Sequence, residues 1–433
     1  MQHIQGISRH QLQMSSLEDK ITADNPVRFI DAFVNHIDPV KIGFQPKILK
    51  TEGRPNFRLE VFLKLYLYGY LNGVRSSRRL EKECFRNIEV QWLLEAIYPN
   101  YHSIADFRKD NPKALKQLFK LFVSFLKDAE LIAGDTIAID GTKSRAHNSK
   151  KANYNQKKID KHKAYIDAKS QEYLDQLEQN DIQENPVAIK NIQQKIERLK
   201  QNKIKYELLE EELKNSGEPQ ISTTDADARA LLVQGQVVEV SYNIQAAVDS
   251  KHNLVVATHT INRNDKNALA AIALEVKENL ALETFTVLVD KGYHNGRELH
   301  TCKQNNITTI VAVPEQGKSN ENGTQPEYLV SKFIYNKENN SYTCPEGKTL
   351  TTTGSWHKKT GRTEESGYNF QKYRTPACKT CLVKGLCTSR NGGREIDRSQ
   401  YADAVEENHQ RYKDNPQLYR KRQEINEHIF GTI

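Results

Sequence analysis

The strongest constraint on the fold of this chain is a series of apolar runs that alternate with helical patterns. Each run is rich in Val, Ile and Thr, the residues that favour β-strands, and each is short enough to form one strand. The runs occupy residues 136–140, 237–249, 253–261, 284–290 and 307–313. Helical patterns occupy 265–280 and 297–305. The resulting order of strands and helices predicts a mixed sheet covered by helices, in a chain of the α+β or α/β class.

The composition favours a polyanionic partner and no membrane segment. The 433 residues carry a net charge of +8, because 63 Lys and Arg outnumber 55 Asp and Glu. Phosphate neutralisation releases counterions, so this excess suits nucleic acid, although a merely basic soluble protein would show it too. The longest apolar stretch, 61–71, contains Lys64 and is too short to span a bilayer, and residues 1–6 form no secretion signal. We therefore predict a cytoplasmic protein.

Residues 20–125 are predicted to form a separate helical domain. Apolar residues recur at helical spacing in 59–71 and again in 90–97. Ser76, or the serine after it, suits the N-terminal cap of one helix, and Ser103 suits the cap of another. Short helices joined by tight turns are therefore expected throughout this part of the chain.

Three arginines lie at one junction between these predicted helices. Arg75, Arg78 and Arg79 flank the predicted cap, an arrangement compatible with a helix-turn-helix that binds DNA. A helical bundle whose arginines face solvent shows the same pattern. The periodicity alone leaves both interpretations open.

A charged segment at residues 150–217 interrupts the β-type runs. Its two helical patterns are separated at Pro186, which predicts an antiparallel helical hairpin inserted into the next domain. A solvated charged spacer is the alternative. Lys143 and Arg145 begin a basic stretch that continues into this segment, and this stretch is a candidate DNA contact next to Asp140.

Four of the six cysteines fall in a polar segment, residues 316–400, which we predict to be a second insertion. They are Cys344, Cys378, Cys381 and Cys387. Four thiolates suit a closed tetrahedral Zn²⁺ site, and the Cys-x-x-Cys spacing is typical of one. Unligated thiols, or a redox pair at Cys378 and Cys381, are the alternatives. Cys84 and Cys302 have helical contexts and are expected in the core.

Three acidic residues are the candidate catalytic set. Asp140 and Asp290 each end an apolar run, and Glu427 lies in a charged helical run near the end of the chain. Acids from distant parts of a basic chain can converge to hold two metal ions, the chemistry used to cut and rejoin phosphodiester bonds. Taken singly, each aspartate also suits a turn or a helix cap, and Glu424 competes with Glu427.

The segments around these acids resemble the DDE transposases of bacterial insertion sequences. Asp290-Lys-Gly-Tyr293 matches the Asp-x-Gly-Tyr pattern around the second acid of the family. Tyr419 and Arg422 fit the start of the Tyr-Arg-Glu-Lys signature, in which three residues separate Arg from Glu. Here four residues separate Arg422 from Glu427, which is chosen because Glu427-His-Ile-Phe-Gly431 resembles the family segment at that acid.

The resemblance extends to the helical region and implies an architecture. Residues 59–81 and 102–108 are similar to the amino-terminal domain of these transposases, which recognises the ends of the element. The resemblance implies an RNase H-like mixed sheet in residues 130–433, following the helical domain. It also implies double-stranded DNA as the partner, at element ends and at the target, a homodimer on that DNA, and a place at the nucleoid.

The resemblance also implies a reaction. Asp140, Asp290 and Glu427 would bind Mg²⁺ or Mn²⁺ for strand cleavage and strand transfer, with Tyr419 and Arg422 holding the DNA backbone. The signature Lys would fall at position 434, so we predict a truncated copy whose activity is reduced or absent. A remnant that only binds DNA, or a metal nuclease for another nucleic acid, are the competing interpretations.

Overall fold

The computed structural model describes residues 8, 10–12, 14–45, 55–147, 150–182, 186–233, 237–314, 324–361 and 367–431. Side chains are described for all of these except 180–182 and 428. The chain divides into two compact units, Met1–Phe125 and Leu126–Ile433. The first unit is helical and the second combines helices with a mixed six-stranded sheet, an antiparallel six-stranded sheet and a two-stranded sheet, so the predicted α+β class is confirmed.

The first unit is built from short helices around one apolar core. The helices are α1 Pro26–His36, α2 Pro39–Ile42, α3 Leu59–Leu71, α4 Ser77–Arg86, α5 Ile88–Leu93, α6 Tyr101–Asp110 and α7 Pro112–Asp128. α3 has the predicted bounds and is buried on most of its surface, because nearly every residue from Val61 to Tyr68 is apolar or aromatic. Lys64 is tolerated there because its Nζ lies 2.5 Å from Asp31 Oδ1.

Two local predictions in this unit are corrected by the structure. The cap of α6 is Asn100 rather than Ser103, since the Asn100 side chain accepts a hydrogen bond from the Ser103 amide at 2.9 Å. The predicted helix at 90–97 is shorter, because Glu95 and Ala96 adopt φ angles of 54° and 56°. Left-handed residues cannot continue a right-handed helix, so α5 ends at Leu93.

The main sheet of the second unit has the mixed arrangement predicted from the order of the runs. The strands in this part of the chain are β1 Thr136–Arg145, β2 Asn153–Tyr154, β3 Ile221–Ser222, β4 Arg229–Val233, β5 Val237–Asp249, β6 Val255–Ile261, β7 Phe285–Val289 and β8 Ile307–Val311. β1 pairs antiparallel with β5 and parallel with β7, which pairs parallel with β8. β4 and β6 both pair antiparallel with β5. The sheet therefore combines parallel and antiparallel pairs.

A helical hairpin is inserted between β2 and β3, which form a separate two-stranded sheet. It consists of α8 Gln156–Ile182 and α9 Pro186–Ser216, and the pairing of β2 with β3 closes its base. Lys163 and Lys203 on facing helices form ion pairs with Glu210 and Asp167, at 2.8 and 2.7 Å. The segment is therefore the hairpin that was predicted and not a loose spacer.

The remaining helices pack on the main sheet or close the chain. They are α10 Leu269–Asn279, α11 Gly296–Gln304, α12 Lys384–Cys387, α13 Ala402–Asp414 and α14 Pro416–Phe430. α14 packs on β1, β5 and β7, where Ile425 joins a core cluster with Ala138 and Leu288. No helix in the described ranges is both long enough and apolar enough to cross a membrane.

The cysteine-containing segment forms a second sheet that the sequence did not predict. Its strands are β9 Ile334–Asn336, β10 Ser341–Thr343, β11 Thr349–Thr351, β12 Trp356–Lys359, β13 Tyr368–Arg374 and β14 Glu395–Ser399. They pair antiparallel in the order β12-β13-β11-β10-β9, with β14 also on β13. These strands are short and polar on one side, so their pattern resembled loop sequence. Residues 316–323 of the predicted insertion lie outside the described residues.

Candidate active site

Asp140 and Asp290 lie on neighbouring strands of the main sheet. Asp290 directly follows β7, whereas Asp140 lies within β1, which continues to Arg145 through its pairing with β5. The expectation that both acids end strands is therefore correct only for Asp290. Parallel pairing of β1 with β7 stops at Ala138 and Leu288, so Asp140 lies just beyond the last paired residues of these two strands.

The Asp140 carboxylate has a cationic partner from the far end of the chain. Arg422 on α14 donates from Nη1 to Asp140 Oδ2 at 3.1 Å, and the Gly141 amide donates to Oδ1 at 2.8 Å. Burial nevertheless raises the pKa of Asp140, and the carboxylates of Asp290 and Asp265 raise it further. The hydrogen bond from Gly141 and the charge of Arg422 lower this pKa, each by less than burial raises it, and the net shift is upward. A carboxylate in this setting is stabilised by any cation that binds beside it.

Asp265 is the acid of this site that the sequence analysis missed. Its Oδ1 accepts hydrogen bonds from Asn243 Nδ2 at 2.7 Å and from Gln245 Nε2 at 2.9 Å. Asn243 and Gln245 are fully buried and alternate along β5, so both side chains lie on one face of the sheet. Buried amides at alternate positions of an otherwise apolar strand were the signal that an acid would face them.

Two glycines leave the space that lets these acids approach. A Cβ atom on Gly141 would lie 2.8 Å from Asn243 Oδ1 and 2.9 Å from Asp265 Oδ1. A Cβ atom on Gly292 would lie 2.9 Å from Asp290 Oδ1 and 3.7 Å from Asp265 Oδ2. A side chain at either position would clash with these groups, which explains why glycine follows Asp140 and why Gly292 occupies its place in the Asp-x-Gly-Tyr pattern.

Tyr293 lies close to all three aspartates of the acidic cluster. Its side chain is buried and donates its hydroxyl hydrogen to Gln245. Burial raises the pKa of Tyr293 well above its ordinary value, and Asp265, Asp140 and Asp290 each raise it further. The three aspartates thus lie within electrostatic reach of the same phenol.

Neither candidate acid of α14 is buried. Glu427 and Glu424 are both exposed, whereas Asn426 is 2% exposed. A helix turns about 100° per residue, so Asn426 lies about 40° from the direction of Arg422 and Glu427 about 140° from it. In the family signature three residues separate Arg from Glu, so counting from Arg422 places the acid at position 426. The signature spacing therefore falls on an asparagine here.

The buried amides provide a test of whether a cation fits. Asn243 Oδ1, Asn426 Oδ1 and Asn426 Nδ2 are buried without a hydrogen-bond partner within the described part of the chain. Oxygen atoms of carboxylates and amides are the ligands that Mg²⁺ and Mn²⁺ prefer. Across the described ranges, no group of three or more His, Cys, Asp or Glu side chains is already arranged around a metal position. The donor chemistry fits a hard divalent cation, whose binding would draw the carboxylates together.

The predicted DNA contacts occupy exposed or half-buried positions. Arg75, Arg78 and Arg79 are exposed at the start of α4, and the Arg78 guanidinium stacks 4.4 Å above the Tyr101 ring. On β1, Lys143 is half-buried and Arg145 forms an ion pair with Glu239 at 2.5 Å. Contact of these residues with DNA remains a prediction.

Tyr419 lies one turn before Arg422 on α14. The Arg422 guanidinium carbon is 5.8 Å from the centre of the Tyr419 ring, and Tyr419 packs edge-on against Tyr412. The first two members of the signature therefore share one face of the helix, next to Asp140.

Two models of known protein families match parts of this chain. A model described as a transposase domain (DUF772) matches residues 15–110, and a model described as a transposase DDE domain matches residues 343–433. No curated protein and no solved structure matches the chain. The second match includes α13 and α14 but neither Asp140 nor Asp290.

Both matching families are transposase families. They support a DDE transposase of an insertion element, with a role in DNA transposition. The chain is similar to these families over its helical unit and its last ninety or so residues. Membership of the group with the Tyr-Arg-Glu-Lys signature stays a prediction.

Proposed function

We propose that this chain binds the ends of an insertion element and catalyses metal-dependent cleavage and strand transfer of double-stranded DNA. The observation that carries the proposal is the approach of Asp140, Asp290 and Asp265 to one another, with Arg422 from α14 paired to Asp140. Asp140 lies on β1, Asp265 lies just before α10, Asp290 follows β7 and Arg422 lies on α14, so the cluster combines separate segments of the chain. Such a cluster is costly for folding alone, which is typical of a functional site.

Asp140 and Asp290 would hold Mg²⁺ or Mn²⁺ through their carboxylate oxygens. The metal ions of such sites stabilise charge on phosphoryl oxygens and lower the pKa of a bound water. The protein contributes the rest of the site. Gly141 fixes the Asp140 carboxylate by donating to it, and Asn243 and Gln245 hold Asp265 in place.

Arg422 has the features of a residue that positions DNA beside these acids. Its side chain is 14% exposed, one N–H is committed to Asp140, and its Nε has no partner among the residues that the structure describes. A planar guanidinium with spare donors suits a backbone phosphate. We propose that Arg422 and Tyr419 hold the backbone at the cleavage point, and that water and then the freed 3′-hydroxyl attack phosphorus without a covalent protein intermediate.

The candidates for the third carboxylate are Asp265 and the two glutamates of α14. Glu427 is the candidate that the resemblance implies, and Glu424 is its neighbour, but both side chains are exposed. Asp265 is the candidate whose electrostatic contact with Asp140 supports it. The two assignments predict opposite results for the variants Asp265→Asn and Glu427→Gln.

The first test is cleavage of a plasmid that carries the native flanks of the gene, with Mg²⁺ or Mn²⁺. The wild-type chain is expected to cut at the flanks and Asp140→Asn is expected not to. Asp397→Asn, an exposed aspartate on β14, is the matched control and should cut like the wild type. Cleavage by Asp140→Asn at the wild-type rate would contradict the proposal.

A DNA-binding protein without cleavage activity is the second candidate function. The presence of Asn426 at the signature spacing and the exposure of Glu427 favour it. In that case wild type and Asp140→Asn would bind the flanks equally, and neither would cut. A dimer on paired ends, which the resemblance implies, is measured in the same binding experiment by the mass of the complex.

A further inference from the structure

Four cysteines from three separate segments of the second sheet line one small cavity. Cys344 follows β10, Cys378 and Cys381 lie in the turn after β13, and Cys387 ends α12. The cavity has a volume of about 30 Å³, and Phe333 and Arg394 complete its wall near the thiols. A space of this size holds one water molecule or one metal ion and little else.

A backbone amide close to Cys344 donates a hydrogen bond to the sulfur atom of this cysteine. The Lys348 amide donates to Cys344 Sγ at 3.2 Å, and the Gly347 amide donates to the Cys344 carbonyl at 2.9 Å. Gly347 adopts a φ of 73°, which makes this tight turn possible. An N–H directed at sulfur stabilises the thiolate, the form that binds metals.

The chain after α12 returns closely against the Cys-x-x-Cys turn. A Cβ atom on Gly393 would overlap the Cβ of Cys378 and lie 3.4 Å from its Sγ. Gly393 also adopts a φ of 93°, so glycine is required there for two reasons. This close approach brings the segment that precedes β14 against the thiols.

The four thiols lie within electrostatic reach of one another. Cys344, Cys378, Cys381 and Cys387 all line the same cavity of about 30 Å³, together with Arg394. Thiolates in such a group repel one another unless a cation lies between them. All six cysteines, which are all described, are free thiols.

The sheet around this cavity has a small core of its own. Its fully buried apolar residues are Phe333, Tyr342, Leu350, Tyr373 and Ile396. Cys344 and Cys387 pack against this cluster. Small modules with so few buried side chains usually need a metal or a disulfide to be stable.

We propose that Cys344, Cys378, Cys381 and Cys387 bind one structural Zn²⁺ that cross-links the turn after β10 to the segment between β13 and β14. Soft thiolate ligands select Zn²⁺ over the hard cations suited to the aspartate cluster, and a tetrahedral set of four closes the site to substrates. In the described residues the four sulfur atoms are not arranged around one metal position. Rotation of the cysteine side chains would bring them around the bound ion. This site is independent of the proposed DNA cleavage.

The test is the metal content of the full chain, measured by inductively coupled plasma mass spectrometry after purification and after reconstitution with Zn²⁺. About one zinc per chain is expected for the wild type, and near none for Cys344→Ser and for Cys381→Ser. Cys302→Ala is the matched control, because Cys302 is a buried thiol on α11 away from the cavity, and it should keep its zinc. A wild type that binds no zinc, or cysteine variants that keep it, would overturn the proposal.

Cobalt substitution covers the case in which the serine variants fail to fold. Co²⁺ added to the wild-type chain should give a sulfur-to-metal charge-transfer band of a tetrahedral thiolate site, and Zn²⁺ should abolish it at one equivalent. The absence of this band, or titration of a different number of sites, would also overturn the assignment. Iron in place of zinc in the purified chain would overturn it as well, since four thiolates also suit iron–sulfur chemistry.

Discussion

Arg422 and Asp140 are joined by a hydrogen bond of 3.1 Å across 282 positions of sequence. The Asp140 side chain is 32% exposed and the Arg422 side chain 14% exposed, so water screens their electrostatic attraction only in part. The contact ties α14 to the centre of the main sheet and offsets part of the repulsion between Asp140 and its neighbouring acids. The last helix is therefore part of the site and not an appendage to it.

Substitution of Arg422 by Gln should change the pH dependence of cleavage. Arg422 lowers the pKa of Asp140, so its removal raises that pKa further above the ordinary value. Because the carboxylate must be ionised to bind a cation, the acidic limb of the pH–rate profile should move to higher pH. We expect the cleavage rate near neutral pH to fall about 10–100-fold, as for other residues that orient a metal ligand.

The control for this prediction is Arg420→Gln. Arg420 is exposed on the same helix, so its removal changes the charge of the chain equally without touching Asp140. An acidic limb that stays at the same pH in Arg422→Gln would show that Arg422 does not act through Asp140.

The variants Asp265→Asn and Glu427→Gln should separate the two candidates for the third acid. If Asp265 belongs to the site, its substitution should lower the cleavage rate by about 10–100-fold or more. Glu427→Gln should then leave the rate within about threefold, because an exposed side chain contributes little to a buried site. Initial rates on the flank plasmid measure both, and the reverse order would assign the role to Glu427.

Asn426→Glu should place a carboxylate at the signature spacing beside Arg422. The side chain is buried and its amide has no partner in the described part of the chain, so a metal-bound carboxylate can replace it. We expect cleavage in Mn²⁺ to rise at least about tenfold, together with a lower thermal stability without metal, since an unpaired buried charge is costly. Gln423→Glu, exposed on the same helix, should change neither property.

A second outcome of the Asn426→Glu experiment has a clear meaning. If Mn²⁺ restores the stability of the variant but cleavage does not rise, the carboxylate binds metal without completing the reaction. If Mn²⁺ leaves both unchanged, position 426 does not face the metal site.

Gly141→Ala should destabilise the second unit by about 1–3 kcal/mol. The new methyl group would lie 2.8 Å from Asn243 Oδ1 and 2.9 Å from Asp265 Oδ1, and overpacking of this kind forces backbone shifts. Gly392→Ala is the matched control, because a Cβ atom there meets nothing within 4 Å and its φ is not positive. Chemical denaturation followed by circular dichroism measures both, and equal stabilities would contradict the steric argument.

Local sequence patterns predicted much of the framework of this protein. The bounds of α3 and β5 agree with the patterns at 59–71 and 237–249, since apolar residues recur along the length of each element. The helical hairpin also followed from periodicity and from the break at Pro186. The patterns failed in the second sheet, whose strands of three to seven residues are held by pairing with distant strands rather than by their own propensity.

The sequence by itself determined the candidates Asp140 and Asp290, because each follows a strong β-type run and carries a recognisable neighbour. It could not determine that Asp265 joins them, since that depends on Asn243 and Gln245 facing it from β5. The sequence also could not show which of the adjacent residues Asn426 and Glu427 is buried, because they lie on different faces of α14. Burial of a side chain is a property of how elements pack together, and only the tertiary structure decides it.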